Sequence, residues 1–194
     1  VLGKIAKHFG LEHEETLTGF KYVSRVPRLI FGFEEALGYL VTPDVVRDKD
    51  GVSAGLMALE IAYSLAAEKR TLWDYLATIE ESVGGFASSQ ITIKLGDQGN
   101  NTPLAEQLRS TQPGAFGTRA ITQVDDFLQG VGKFPREDIL RYYLDDGSRV
   151  IIRPSGTEPK LKIYLDTQGD TRREAETALK ELESALRSLV DSLS

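Results

Sequence analysis

Cysteine is absent from the 194-residue chain. No disulfide can form and no thiolate can bind a metal, a composition that fits a reducing cytoplasm. Histidine is scarce as well: His8 and His13 stand apart, with no partner at metal-ligand spacing, and read as surface residues. Positive charge is not in excess. With 23 Lys+Arg against 29 Asp+Glu the net charge is −6, and no basic stripe carries interleaved aromatics, so nucleic acid is excluded as a partner. No apolar run reaches the roughly 20 residues of a membrane span, and nothing resembles a signal peptide. No membrane partner is expected, and a cytoplasmic location is. There is no internal repeat and no low-complexity tract.

What is present is ordinary for a soluble globular protein: 41% hydrophobic and 27% charged residues, in a length that suits one large domain or two small ones. Helix and strand signals alternate along the chain. Val1 to Phe9 reads as the end of an amphipathic helix closed by Gly10. Glu14 to Thr18 reads as a short strand leading into a turn at Gly19. Leu29 to Phe33 is apolar and reads as a buried strand. Asp50-Gly51 opens a helix over Val52 to Ala67, with Leu56, Leu59, Ala62, Tyr63 and Ala66 at helical spacing. Thr71 and Asp74 form a capping box for a second helix, which ends near Val83. Gly84-Gly85 then marks a domain boundary, dividing the chain into 1–85 and 86–194.

The second half begins with an alternating strand, Ser89 to Leu95. A loop and a helix through about Ser110 follow, with Pro103 in its first turn. Ile139–Leu144 and Ser148–Arg153 form a hairpin around the Asp145-Asp146-Gly147 turn. Leu161 to Leu165 is a further strand. The final helix, from about Thr171, carries one apolar face: Ala175, Ala178, Leu179, Leu182, Leu186, Leu189, Val190 and Leu193. The expected fold is an α/β domain with a mixed sheet, followed by an α+β domain with an antiparallel sheet packed by helices.

Between two of those strands lies Arg153-Pro154-Ser155-Gly156-Thr157-Glu158-Pro159-Lys160. This loop offers what a phosphate dianion needs. Arg153 supplies a planar fork of donors, Ser155 and Thr157 supply hydroxyls, and Gly156 lets a backbone N–H approach an oxygen. Pro154 and Pro159 restrict the loop before a ligand arrives. Each charge-assisted hydrogen bond contributes about 1.5–3 kcal/mol. Glu158 must point away or pair with Lys160. Earlier in the chain, Glu34 and Glu35 follow a strand. A carboxylate there can accept from two neighbouring hydroxyls of a ligand, or simply favour the positive end of a helix. Lys49 precedes a helix start, where helix electrostatics disfavour a cation, so a ligand role stands beside that of a solvated lysine. Lys21 after Gly19 is similar.

The phosphate-type loop resembles that of the last domain of the α-D-phosphohexomutase superfamily, which includes phosphoglucomutase and phosphomannomutase. Three further segments follow in the same order: Thr16-Leu17-Thr18-Gly19-Phe20-Lys21, Phe31 to Tyr39, and Arg47-Asp48-Lys49-Asp50-Gly51. The resemblance implies a sugar-recognition domain followed by a phosphate-binding domain, and assigns substrate binding to Glu34, Glu35, Arg153, Ser155, Gly156, Thr157, Lys160 and Lys162. It places Lys49 and Lys21 near the reacting groups, as electrostatic stabilisers or proton shuttles. It implies a magnesium-dependent isomerase acting through a phosphoserine and a bisphosphate intermediate. The motifs for the serine and for the magnesium-binding aspartates are not found here, and the chain opens at Val1. It therefore reads as the carboxy-terminal part of a longer enzyme, inactive alone, whose partners are a phosphosugar and the enzyme's N-terminal domains. Ala36 stands where many hexose-acting relatives have serine. That leaves phosphopentomutase and phosphoglucosamine mutase as alternatives, with a non-catalytic phosphate-binding module as a third.

Overall fold

The computed structural model describes residues 1–34, 37–94, 102–154 and 160–193. They form two compact units, 1–83 and 84–194.

The first unit holds helices α1 (Leu2–His8), α2 (Phe20–Val23), α3 (Gly51–Ala67) and α4 (Leu72–Val83), with strands β1 (Gly32–Glu34) and β2 (Gly38–Leu40) between α2 and α3. The strands pair antiparallel, Phe33 opposite Tyr39. Asp50 caps α3, accepting from the N–H groups of Val52 and Ser53 at 3.1 Å each. Thr71 and Asp74 cap α4 reciprocally: Asp74 N–H donates to the Thr71 hydroxyl at 3.2 Å, and Thr71 N–H donates to the Asp74 carboxylate at 2.7 Å. Among the described residues, Phe20, Val23 and Leu40 form a small apolar cluster with Leu29 beside them, and Ala6 and Leu65 are buried outside it.

Three expectations need correction in this unit. Residues 11–17 take no regular secondary structure, so the short strand over Glu14 to Thr18 is not formed. The apolar run at Leu29 becomes a strand only from Gly32, and Ile30 is 65% exposed. The stripe on α3 does not form a core: Leu56, Leu59 and Tyr63 are exposed, and Leu65 is the residue the helix buries. Periodicity identifies an apolar face without saying which element covers it.

The second unit is built on a six-stranded antiparallel sheet, in the order β3-β8-β7-β6-β5-β4. Its strands are β3 (Gly85–Lys94), β4 (Ala115–Phe116), β5 (Arg119–Asp126), β6 (Leu140–Leu144), β7 (Arg149–Pro154) and β8 (Lys160–Gly169). Helices α5 (Thr102–Thr111) and α6 (Arg172–Leu193) complete it. Strands β3 and β8 run well past the expected segments, and β4 and β5 were not foreseen. Alternation is strict along β8: Leu161, Ile163 and Leu165 are fully buried, whereas Lys160, Lys162 and Tyr164 are only partly so. The buried face meets α6 through Ala175, Leu182 and Leu186, and α5 adds Ala105 and Leu108 to the same core. The Gly84-Gly85 pair is a packed junction. Gly84 takes φ +91°, and a Cβ on Gly85 would stand 2.1 Å from the Arg172 nitrogen at the start of α6.

Candidate functional site

In the first unit, Glu34 ends β1 with its side chain on the buried face of the ribbon, 8% exposed. A buried carboxylate needs a partner, and Lys49 supplies it: Nζ donates to Oε1 at 3.2 Å. Lys49 is held in place by the polypeptide beside it. The N–H of Asp50 donates to the carbonyl of Tyr39 on β2 at 2.9 Å. The Asp50 carboxylate caps α3, and its pKa is lowered by hydrogen bonds from the Ser53 side chain and from the Ser53 and Val52 backbone. The Lys49 side chain remains 54% exposed, so the pair is open to solvent on the lysine side. The structure thus joins Glu34 and Lys49 into one pair. The Lys21 ammonium lies 4.8 Å from the centroid of the Tyr22 ring. Glu35 lies outside the described residues.

In the second unit, the sheet face opposite α6 carries three arginines, and their partners across the ladder differ. Arg141 on β6 lies across from Asp125 on β5 and bonds it at 2.7 Å. Arg149 on β7 lies across from Asp166 on β8 and bonds it at 2.7 Å. Arg153, at the end of β7, lies across from Lys162. Like charges directly opposite one another destabilise a sheet. Among the described residues neither Arg153 nor Lys162 forms an ion pair. Two places along β8, Lys160 shares the same face, and the register sets Lys94 of β3 opposite it. Three cationic side chains, Arg153, Lys160 and Lys162, thus flank the ends of the β7–β8 connection, each partly buried. Ser155, Gly156 and Thr157 fall in that connection, outside the described residues.

Beside this cluster stands a feature that the sequence reading missed. Thr92 on β3 pairs in register with Lys162, and its hydroxyl accepts from Gln90 Nε2 at 2.8 Å. The signal was available in the alternation of Gln90, Thr92 and Lys94 along β3. Among the described residues no group of three or more His, Asp or Glu side chains is placed to hold a metal, and no helix is long and apolar enough to cross a membrane.

Comparison with known proteins points to one family. The phosphoglucomutase/phosphomannomutase alpha/beta/alpha domain III profile matches residues 1–92, and the C-terminal domain profile of the same family matches residues 109–184. A probable phosphomannomutase of Haemophilus influenzae is 42% identical over 189 residues, which is 97% of this chain and 38% of that protein. A phosphoglucomutase of Staphylococcus epidermidis is 30% identical over 187 residues, 86% of this chain and 34% of that protein. The open form of the Paramecium phosphoprotein pp63/parafusin, a phosphoglucomutase, superposes with a TM-score of 0.72 over 94% of this chain and 34% of its own, at 22% identity. The chain therefore spans little more than a third of the length of these relatives.

Proposed function

The chain belongs to the phosphoglucomutase/phosphomannomutase family, and from that membership we propose that it forms the substrate-holding part of a phosphohexose mutase. In this reading the first unit recognises the sugar and the second clamps the phosphate that is not being transferred. Glu34 accepts hydrogen bonds from sugar hydroxyls, with Glu35 in a lesser role. Lys49, beside Glu34, supplies positive charge near the reacting oxygen, and Lys21 is a weaker candidate for the same task. Arg153, Lys160 and Lys162, with Ser155, Gly156 and Thr157, hold the stationary phosphate.

The observation that carries the reading is the change of partner along one sheet face. Arg141 and Arg149 each have an aspartate across the ladder, and Arg153 has a lysine. A sheet tolerates that opposition when an anion completes it. A dianionic phosphate does so with its oxygens, and Arg153 can donate to it in a planar fork.

The parent reaction then runs in two phosphoryl transfers. A phosphoserine donates to one sugar oxygen, the bisphosphate reorients, and the other phosphate returns to the serine. The clamp must accept the sugar ester in both orientations, which suits a site built from symmetric charge. In this reading the phosphoserine and the magnesium ligands belong to the enzyme's N-terminal domains. The chain alone is expected to bind sugar phosphate weakly and to turn none over.

Titration of glucose 1-phosphate into the chain, followed by NMR, tests the proposal. Shifts should appear along the ends of β7 and β8 and around Glu34 and Lys49. Arg153→Ala should weaken the first set by about 10- to 100-fold, the equivalent of one charge-assisted hydrogen bond. Equal binding by the variant and the parent chain would remove Arg153 from the clamp.

A further inference from the structure

The ribbon formed by β1 and β2 buries one face, made of Gly32, Glu34, Gly38 and Leu40. Two of those positions have no side chain, and α2 lies over them. A Cβ on Gly32 would stand 2.7 Å from Val23 Cγ1, and a Cβ on Gly38 would stand 2.4 Å from Phe20 Cε2. Each glycine is thus a notch that receives one apolar side chain of α2. The backbone at 32 and 38 does not take a positive φ, so the missing Cβ, and not conformational freedom, is what these positions supply.

The two notches differ in what else they touch. Around Gly32 the other neighbours are apolar, Leu40 at 3.5 Å and Leu29 at 3.6 Å. A Cβ on Gly38 would meet Glu34, with Cγ at 2.6 Å and Oε1 at 2.9 Å. That Oε1 is the oxygen bonded to Lys49. The Glu34 carboxylate is therefore confined between the Phe20 ring, the backbone at 38 and the Lys49 ammonium.

We infer that Gly38 is a positioning residue: its missing side chain, with the Phe20 ring beside it, sets the Glu34 carboxylate against Lys49 in the orientation used for sugar hydroxyls. The steric part stands on the geometry alone, and the sugar part rests on the reading of Glu34 given above. Filling the notch turns the carboxylate away from the lysine while leaving the ribbon paired.

The test compares Gly38→Ala with Gly32→Ala, which crowds the same helix and ribbon without touching Glu34. The reporter is the Lys49 side-chain 13Cε–1Hε resonance, calibrated with Glu34→Gln in the full 194-residue chain. Gly38→Ala should move that resonance to the Glu34→Gln position, and Gly32→Ala should leave it in place. Should Gly38→Ala fail to fold, Gly38→Ala combined with Phe20→Leu relieves the ring contact and keeps the Glu34 contact, and the same displacement is expected. An unmoved Lys49 resonance in a folded Gly38 variant overturns the inference, as does an equal displacement by Gly32→Ala. Titration with glucose 1-phosphate adds a separate readout. Gly38→Ala should lose affinity at the first unit as far as Glu34→Gln does, and Gly32→Ala should not. If Glu34→Gln itself leaves that affinity intact, the sugar role of Glu34 falls, and the lysine resonance still decides the role of Gly38.

Discussion

Tyr142 sits in the core of the second unit, 1% exposed, with its ring edge-on to Phe116 at 5.0 Å between centroids. Burial pushes its phenol up to about 12, against a small opposing effect from Arg109 and a small reinforcement from Asp126. The folded value lies above the unfolded one, so this contribution is complete below pH 10 and is lost as pH rises through 12. Two units correspond to roughly 3 kcal/mol at full loss. Urea unfolding at pH 9 and pH 11.5 should show about two thirds of that loss in the parent chain, and Tyr142→Phe should largely remove this share. Asp146 behaves with the opposite sign. Burial raises its pKa, but the Ser148 N–H at 2.8 Å and the Arg119 guanidinium at 2.6 Å prevail and hold it below 3.8. Its contribution is present above that value and disappears as pH falls through the lowered folded pKa. Asp146→Asn should cost about 1–3 kcal/mol at pH 7, and the variant and parent should converge in strong acid. A constant gap across pH 7 to 2 would show that the carboxylate charge is not what stabilises the β6–β7 turn.

Among the elements, α3 and α6 show how far a periodic pattern can be trusted. Both carry apolar stripes. On α6 the stripe is the core: Ala175, Leu182 and Leu186 are fully buried against the sheet. On α3 it is solvent-facing, with Leu56 64% and Leu59 68% exposed. Leu182→Ala should therefore cost roughly 2–5 kcal/mol, and Leu56→Gln should stay within about 0.5 kcal/mol, measured by chemical unfolding. Loss on that larger scale at Leu56 would mean that α3 is covered in solution. Helices α1, α3, α4, α5 and α6, the β6–β7 hairpin and the Thr71–Asp74 cap were legible in the sequence because each rests on contacts within a few residues, whereas the short α2 was not. The strand at Arg119–Asp126 was not. Its exposed Val124 and its acidic end hide the alternation, and it becomes a strand through pairing with β6. The candidate site divides in the same way. The turn chemistry at Arg153 is local and could be read directly, whereas the opposition of Arg153 to Lys162, the Glu34–Lys49 pair and the Gly38 notch all depend on register and packing between segments far apart in the chain.

At the scale of the molecule, the two units hold unequal cores. The second gathers a continuous cluster from β3, β6, β7, β8, α5 and α6, and the first buries little beyond Phe20, Val23, Leu40 and Leu65. Hydrogen exchange should therefore be slowest along β8 and α6 and faster throughout residues 1–83. A ligand held by the second unit stabilises that unit selectively, because it adds free energy only where it binds. At ten times the dissociation constant the gain is about 1.4 kcal/mol, roughly 5–10 °C in the melting of a unit of this size. Glucose 1-phosphate should raise the transition of the second unit and slow exchange at the ends of β7 and β8, with a smaller effect in the first unit around Glu34 and Lys49. Arg153→Ala should cancel the rise in the second unit and spare the effect in the first. If the sugar phosphate leaves the second transition where it was, while saturating shifts are seen elsewhere in the chain, the basic corner at Arg153, Lys160 and Lys162 holds no phosphate, and the opposition of cations there needs another cause.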